Sequence, residues 1–226
     1  MADNYETIVR WYLRFNGFFT VESFIVHEVV NQGNQQGGET DILGVRFPFS
    51  QENAGFQILN DTNLLGTGTR ENGLTDIIIA EVKNRDDDYL NGIWKDPDPK
   101  YLERVAYIIR WIGIFKDENE IHRAASEIKS KYQFQEGNYR IRFIYFGKRK
   151  HQSIEQLGIT QITFDEVIDF LLHLRMPSFY VHNSGARSPH HQWDTLIKDI
   201  WNVGDVRCNQ SVEEQKKAIY RILDTK

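Results

Sequence analysis

Apolar positions at the start of the chain recur at helical spacing. Ile8, Val9, Tyr12 and Leu13 follow the polar Asp3, Asn4 and Glu6. This predicts a capped amphipathic helix that ends near Asn16-Gly17, since a Gly just past a helix is a stop signal. From Phe18 to Val30 the pattern becomes an alternation, which predicts a long strand. Asn31 to Gly38 holds only Asn, Gln and Gly and reads as a turn or loop. Glu39 to Phe47 is a second strand, carrying Ile42, Val45 and Phe47, and Pro48 to Gly73 is a polar, Gly-rich insertion.

Asp76 to Lys83 is the strongest strand. It is apolar on both faces up to Val82, as suits a central strand covered on both sides. Asn84 to Pro99 reads as a loop. Tyr101, Val105, Ile108, Ile112 and Phe115 return to helical spacing, and a second helix is expected over 118–132. Tyr139 to Phe146 and Gly158 to Thr163 are further strands. Thr163-Phe-Asp-Glu166 is a capping box for a helix to about Arg175, stopped by Pro177. Helices over 191–202 and 211–224 follow, the second opened by the capping box Ser211 to Glu214. The order predicts an α/β (α+β) fold, with a mixed central sheet flanked by helices. It fills residues 1–176, with a C-terminal helical appendage over 177–226.

Composition narrows the class. A 226-residue chain buries roughly 70% of its unfolded surface, so a sizeable core is available. One cysteine, Cys208, excludes a disulfide framework and a cysteine-rich zinc site. Apolar runs stay far short of the roughly 20 residues needed to span a bilayer, and Met-Ala-Asp-Asn-Tyr-Glu is unlike a signal peptide. A cytoplasmic protein is expected. The net charge of −5 argues against a protein held on nucleic acid by bulk charge. An enzyme with local positive charge and a metal-binding acidic site remains open.

Candidate chemistry concentrates at the end of the central strand. Strand side chains alternate, so Glu81 and Lys83 project on one side, where the apolar run stops. Pairing of this strand with Glu39 to Phe47 would bring Asp41 beside Glu81. Two close carboxylates repel, and a hard divalent cation such as Mg²⁺ relieves the repulsion. A metal held there can polarise a phosphate and lower the pKa of a bound water. Lys83 would orient that water or neutralise developing charge.

At these residues the chain resembles the PD-(D/E)XK nuclease superfamily, which has the restriction-endonuclease-like fold. The carriers are Gly-Glu-Thr-Asp41-Ile-Leu-Gly, then Ile-Ile-Ile-Ala-Glu81-Val-Lys83, with a first helix closed by Asn-Gly-Phe and a late strand and helix over 158–175. The resemblance covers roughly residues 1–176. It implies Mg²⁺-dependent cleavage of DNA phosphodiesters, with Mn²⁺ as a substitute, by an endonuclease rather than an exonuclease. The roles implied are Asp41 and Glu81 as ligands with the Val82 carbonyl, Lys83 as the catalytic lysine, and Glu6 as an additional acid. Restriction, repair or defence against mobile DNA is the usual setting. Thr40 stands where Pro is usual, and no Gln-x-x-x-Tyr pattern follows Lys83.

Several of these residues have structural readings too. Glu6 stands three residues after Asp3 and completes a capping box. Asp41 follows Gly37-Gly38 and also has a reading as a turn residue, which the apolar strand continuing past it disfavours. Asp76 is a strand-entry residue, and Asp86 to Asp88 a solvated loop. Trp11, Trp94, Trp111, Trp193 and Trp201 read as packing residues rather than base-stacking platforms. His190-His191 lacks acids at ligand spacing. Arg140, Arg142, Lys148, Arg149 and Lys150 form the densest basic cluster, either a solvated strand end or a phosphate-contact patch. The rival to a nuclease is a non-catalytic binding or assembly module. Its C-terminal helices would dock a protein partner or a second copy.

Overall fold

The computed structural model describes residues 3–30, 33–50, 53–54, 57–58, 60–66, 73–85, 90–96, 98–175, 194–204 and 210–225. Pro177, His190-His191, Asp86 to Asp88, Trp193 and Cys208 lie outside them.

Helix α1 (Asn4–Phe15) starts where the Asp3 carboxylate accepts the Glu6 N–H at 2.8 Å. It stops at Asn16, and Gly17 follows at φ +85°, a conformation that strains side-chain-bearing residues. Strand β1 (Phe19–Val30) then pairs antiparallel with β2 (Gly33–Arg46). The strand reaches into the segment expected to be a loop, with Gln35 and Gln36 in register with Glu28 and His27. Main-chain pairing carries no demand for apolar side chains, so the alternation could not reveal it. A short hairpin, β3 (Asn53–Ala54) with β4 (Gln57–Ile58), and one helical turn, α2 (Thr62–Leu65), occupy part of the expected insertion.

The central strand β5 (Thr75–Lys83) runs antiparallel to β2 and parallel to β7 (Tyr139–Gly147). Between them come α3 (Gly92–Lys95), α4 (Pro99–Ile112), α5 (Glu118–Lys131) and β6 (Gln133–Glu136). After β7 follow α6 (Gln152–Glu155), β8 (Thr160–Thr163) and α7 (Phe164–Asp169), which continues as π-helix over Phe170–Arg175. The described strands give a six-stranded mixed sheet in the order β1-β2-β5-β7-β6, with β8 also on β7. The α/β class is as expected; β6 is an addition. Gln133–Glu136 alternates weakly and is held by the ladder to β7 rather than by its own pattern.

Each face of the sheet carries its own core. Ile42, Ile78, Ala80, Val82, Ile144 and Phe146 pack with α1 and α7. Leu43, Ile77, Ile79, Ile141, Phe143 and Tyr145 pack with α4 and α5. Two C-terminal helices, α8 (Thr195–Val203) and α9 (Val212–Leu223), add Ile197, Ile200, Trp201, Ile219 and Leu223 to the α1 core. Asp194, the α8 N-cap, also bonds Arg10 and Trp11 of α1. The two C-terminal helices therefore share the α1 core. Among the described residues no helix is long and apolar enough to cross a membrane.

Candidate active site

The β2–β5 ladder ends at Ile42 opposite Ala80. One step further, antiparallel pairing sets Asp41 across from Glu81. Asp41 alternates with Leu43, and Glu81 with Ile79, so both carboxylates lie on the α4 face where the β2–β5 ladder ends. The two come together as the sequence predicts. The Val82 N–H donates to Asp41 Oδ2 at 2.6 Å. On a strand the N–H and C=O of one residue point to the same neighbour, so the Val82 carbonyl also lies on the Asp41 side.

Glu81 is 1% exposed, a burial that carboxylates tolerate only when paired. Lys83 Nζ sits 2.6 Å from Glu81 Oε1, and the Asn91 N–H, at the start of α3, donates to the same oxygen at 3.3 Å. Asp41 is less well compensated. Burial first, and then the Glu81 charge, push its carboxyl up to about 7, against the opposing pull of the Val82 N–H and Lys83. At neutral pH the proton on Asp41 is therefore labile, and a cation can replace it.

The donor set suits a hard cation. It offers two carboxylates and a backbone carbonyl, with neither thiolate nor imidazole, and Mg²⁺ typically takes one or two carboxylates and keeps several waters. Among the described residues, no group of three His, Cys, Asp or Glu side chains converges tightly enough to hold an ion alone. Glu6 is thus not brought into a three-carboxylate cage. Its charge acts on Asp41, while its own carboxyl is raised by burial and by Asp3, and its N–H completes the α1 cap. The Asp3 carboxylate also accepts from Asn84 Nδ2 at 2.8 Å, which ties the first turn of α1 to the end of β5.

An unforeseen feature lies across from Asp41. The β1–β2 ladder pairs Glu22 with Ile42 and Phe24 with Thr40, passing over Ser23 and Asp41. Ser23 has φ +48°, in the left-handed region. Glu22 faces α1, where it meets Arg10, whereas Phe24 faces Tyr107 and Trp111 of α4. In a regular strand these two residues would share a face. Ser23 therefore turns β1 over at the level of Asp41. A non-glycine residue held this way costs on the order of 1–3 kcal/mol, and such strain clusters at functional sites. A serine in an alternating run gives no sign of it.

The basic cluster divides in two. Arg140 and Arg142 grip Asp76 at the far end of β5, with Nη2 contacts of 2.8 and 2.6 Å, and Asp76 is fully buried. Their guanidinium groups also donate to the carbonyls of Leu65 and Leu64, which pins α2 to the sheet. Both arginines were read as either a solvated strand end or phosphate contacts; in the structure they neutralise a buried carboxylate. Asp76, read as a strand-entry residue, is the centre of that network. Lys148, Arg149 and Lys150 are exposed and follow Gly147, which pairs with Lys83, so they stand at the carboxylate end of the sheet. Lys150 meets Glu166 at 2.9 Å and Lys148 approaches Asp224 at 4.0 Å. Comparisons of the chain with family models, curated proteins and solved structures return no match.

Proposed function

We propose that this chain is a Mg²⁺-dependent nuclease that hydrolyses phosphodiester bonds in DNA, an endonuclease with Asp41, Glu81 and Lys83 as its working residues. The observation that carries the reading is the facing Asp41–Glu81 pair, with Lys83 on Glu81, at the end of a doubly covered strand. Asp41, Glu81 and the Val82 carbonyl would hold Mg²⁺, or Mn²⁺ in its place. Such an ion supplies charge to a phosphate oxygen and lowers the pKa of bound water. Lys83, released from Glu81, stabilises charge developing on the phosphate or orients the attacking water. Lys148, Arg149 and Lys150 supply phosphate contacts at the same end of the sheet, which a protein of net charge −5 needs locally. DNA is the partner and the cytoplasm the setting; restriction, repair or defence against mobile DNA is the role.

The test is cleavage of supercoiled plasmid by purified protein with Mg²⁺ or Mn²⁺. Wild type should nick or linearise it, and EDTA should stop the reaction. Lys83→Ala should lose turnover while retaining metal affinity. Wild-type cleavage by Lys83→Ala would refute the role given to the lysine, and cleavage in EDTA would refute the role given to the metal.

A further inference from the structure

Four of the tryptophans are described: Trp11, Trp94 and Trp201 are buried, as packing residues should be, but Trp111 is 52% exposed. Its ring lies 4.6 Å from that of Phe24, which is itself buried and lies across the ladder from Thr40, the residue before Asp41. Lys100, Arg104, Tyr107 and Trp111 follow one another at spacings of four, three and four, so they share one face of α4. Glu103 flanks that face and is turned toward His122 of α5, 3.8 Å away. The Arg104 guanidinium stands 4.8 Å over the Tyr101 ring. Tyr101 Oη in turn lies 3.1 Å from where a Cβ on Gly92 would stand, next to Asn91, whose N–H reaches Glu81. The start of α4 is therefore anchored beside Glu81, and its last turn packs, through Phe24, beside the Thr40–Asp41 stretch of β2.

From this arrangement we infer that α4 is a track for a single nucleic-acid strand, with Trp111 as a stacking platform for an unpaired base. The inference rests on the nuclease reading and adds the substrate class: DNA with single-stranded character near the scissile bond. An aromatic ring stacks on the face of a base, and that face is available only when the base is unpaired. Phe24 braces the platform from below, so little freedom is lost when a base lands on it. Arg104 and Lys100, about 10 and 16 Å along the helix, are placed for phosphates of the same strand.

The experiment uses full-length protein with Lys83→Ala, without divalent metal, titrated with a 12-nucleotide single strand and with a duplex of the same sequence. Binding is read by anisotropy and by tryptophan emission. Single-strand binding should quench emission. Trp111→Ala should weaken single-strand affinity about tenfold and leave duplex affinity within about twofold. Trp111→Phe should retain most of the affinity while losing the quench, which separates stacking from misfolding. Unchanged single-strand affinity in Trp111→Ala, or equal loss on both forms, would overturn the inference. Binding of the duplex alone would sink it and leave the nuclease reading standing. Binding of neither form would remove both.

Discussion

The two ends of strand β5 solve the problem of buried charge in opposite ways. At its start, one carboxylate, Asp76, is held by two arginines, whose remaining donors reach backbone carbonyls of α2. At its finish, two carboxylates, Asp41 and Glu81, share one lysine and two backbone N–H groups. The first arrangement offers every buried acceptor a donor and suits a fixed structural joint. The second has one lysine for two carboxylates, and burial, with the Glu81 charge beside it, raises the Asp41 carboxyl to about 7. Within one strand, the chain thus separates a charge-compensated joint from a carboxylate pair that, on the proposed reading, would take a cation.

Breaking the joint should have the largest effect on stability. Asp76→Ala leaves two guanidinium groups without their counter-ion, one of them buried, and should cost about 3–5 kcal/mol. Urea denaturation measures it, and Mg²⁺ should not restore the loss. A cost under about 1 kcal/mol would erase the contrast between the two ends.

The opposite sign is expected at the site. The folded-state pKa of Asp41 lies above the usual value of 3.8, so its protonated form is the one the fold favours. That contribution is fully present below the unfolded pKa and is lost as pH rises from about 4 through about 7. Asp41→Asn keeps the acceptor for the Val82 N–H and removes the charge. Without metal it should match wild type near pH 4 and exceed it at pH 8 by roughly 1–3 kcal/mol. Thermal melts across that range decide it; a variant less stable than wild type at pH 8 contradicts the upward shift at Asp41.

Much of this contrast was legible in the sequence, but unevenly. The apolar run Ile77 to Ala80, interrupted only by Glu81 and closed by Lys83, announced both the central strand and its polar end, because burial leaves a mark in composition. The caps at Asp3, Thr163 and Ser211 were readable because they need particular side chains at fixed offsets. The Asp76 network was hidden. Arg140 and Arg142 look basic whether they face solvent or a carboxylate brought from 64 and 66 residues away. Ser23 was hidden because backbone conformation at one residue leaves no pattern, and Gly33 to Gly38 because ladder pairing asks nothing of side chains. Trp111 looked like its buried counterparts because spacing along α4 does not say which flank the sheet covers.

A smaller effect should sharpen the electrostatic side of the comparison. Replacing Lys148, Arg149 and Lys150 together with Ala should leave stability within about 0.5 kcal/mol, since all three are exposed. On duplex DNA, in the Lys83→Ala background, it should flatten the salt dependence of binding by roughly 2–3 units, about 0.9 per phosphate contact. Replacing Arg140 instead should act on stability first, because its guanidinium is engaged with Asp76 and the Leu65 carbonyl. An unchanged salt slope in the triple variant would place the DNA path elsewhere.

On the proposed reading, the finish of β5 takes up one cation. Calorimetric titration of Mg²⁺ at pH 8, where the Asp41 proton no longer competes, tests it most directly. Wild type should bind with a measurable heat, Lys83→Ala should bind comparably, and Asp41→Asn and Glu81→Gln should each abolish the signal while remaining folded. Undiminished Mg²⁺ binding by Asp41→Asn, or no binding by wild type, would contradict the account.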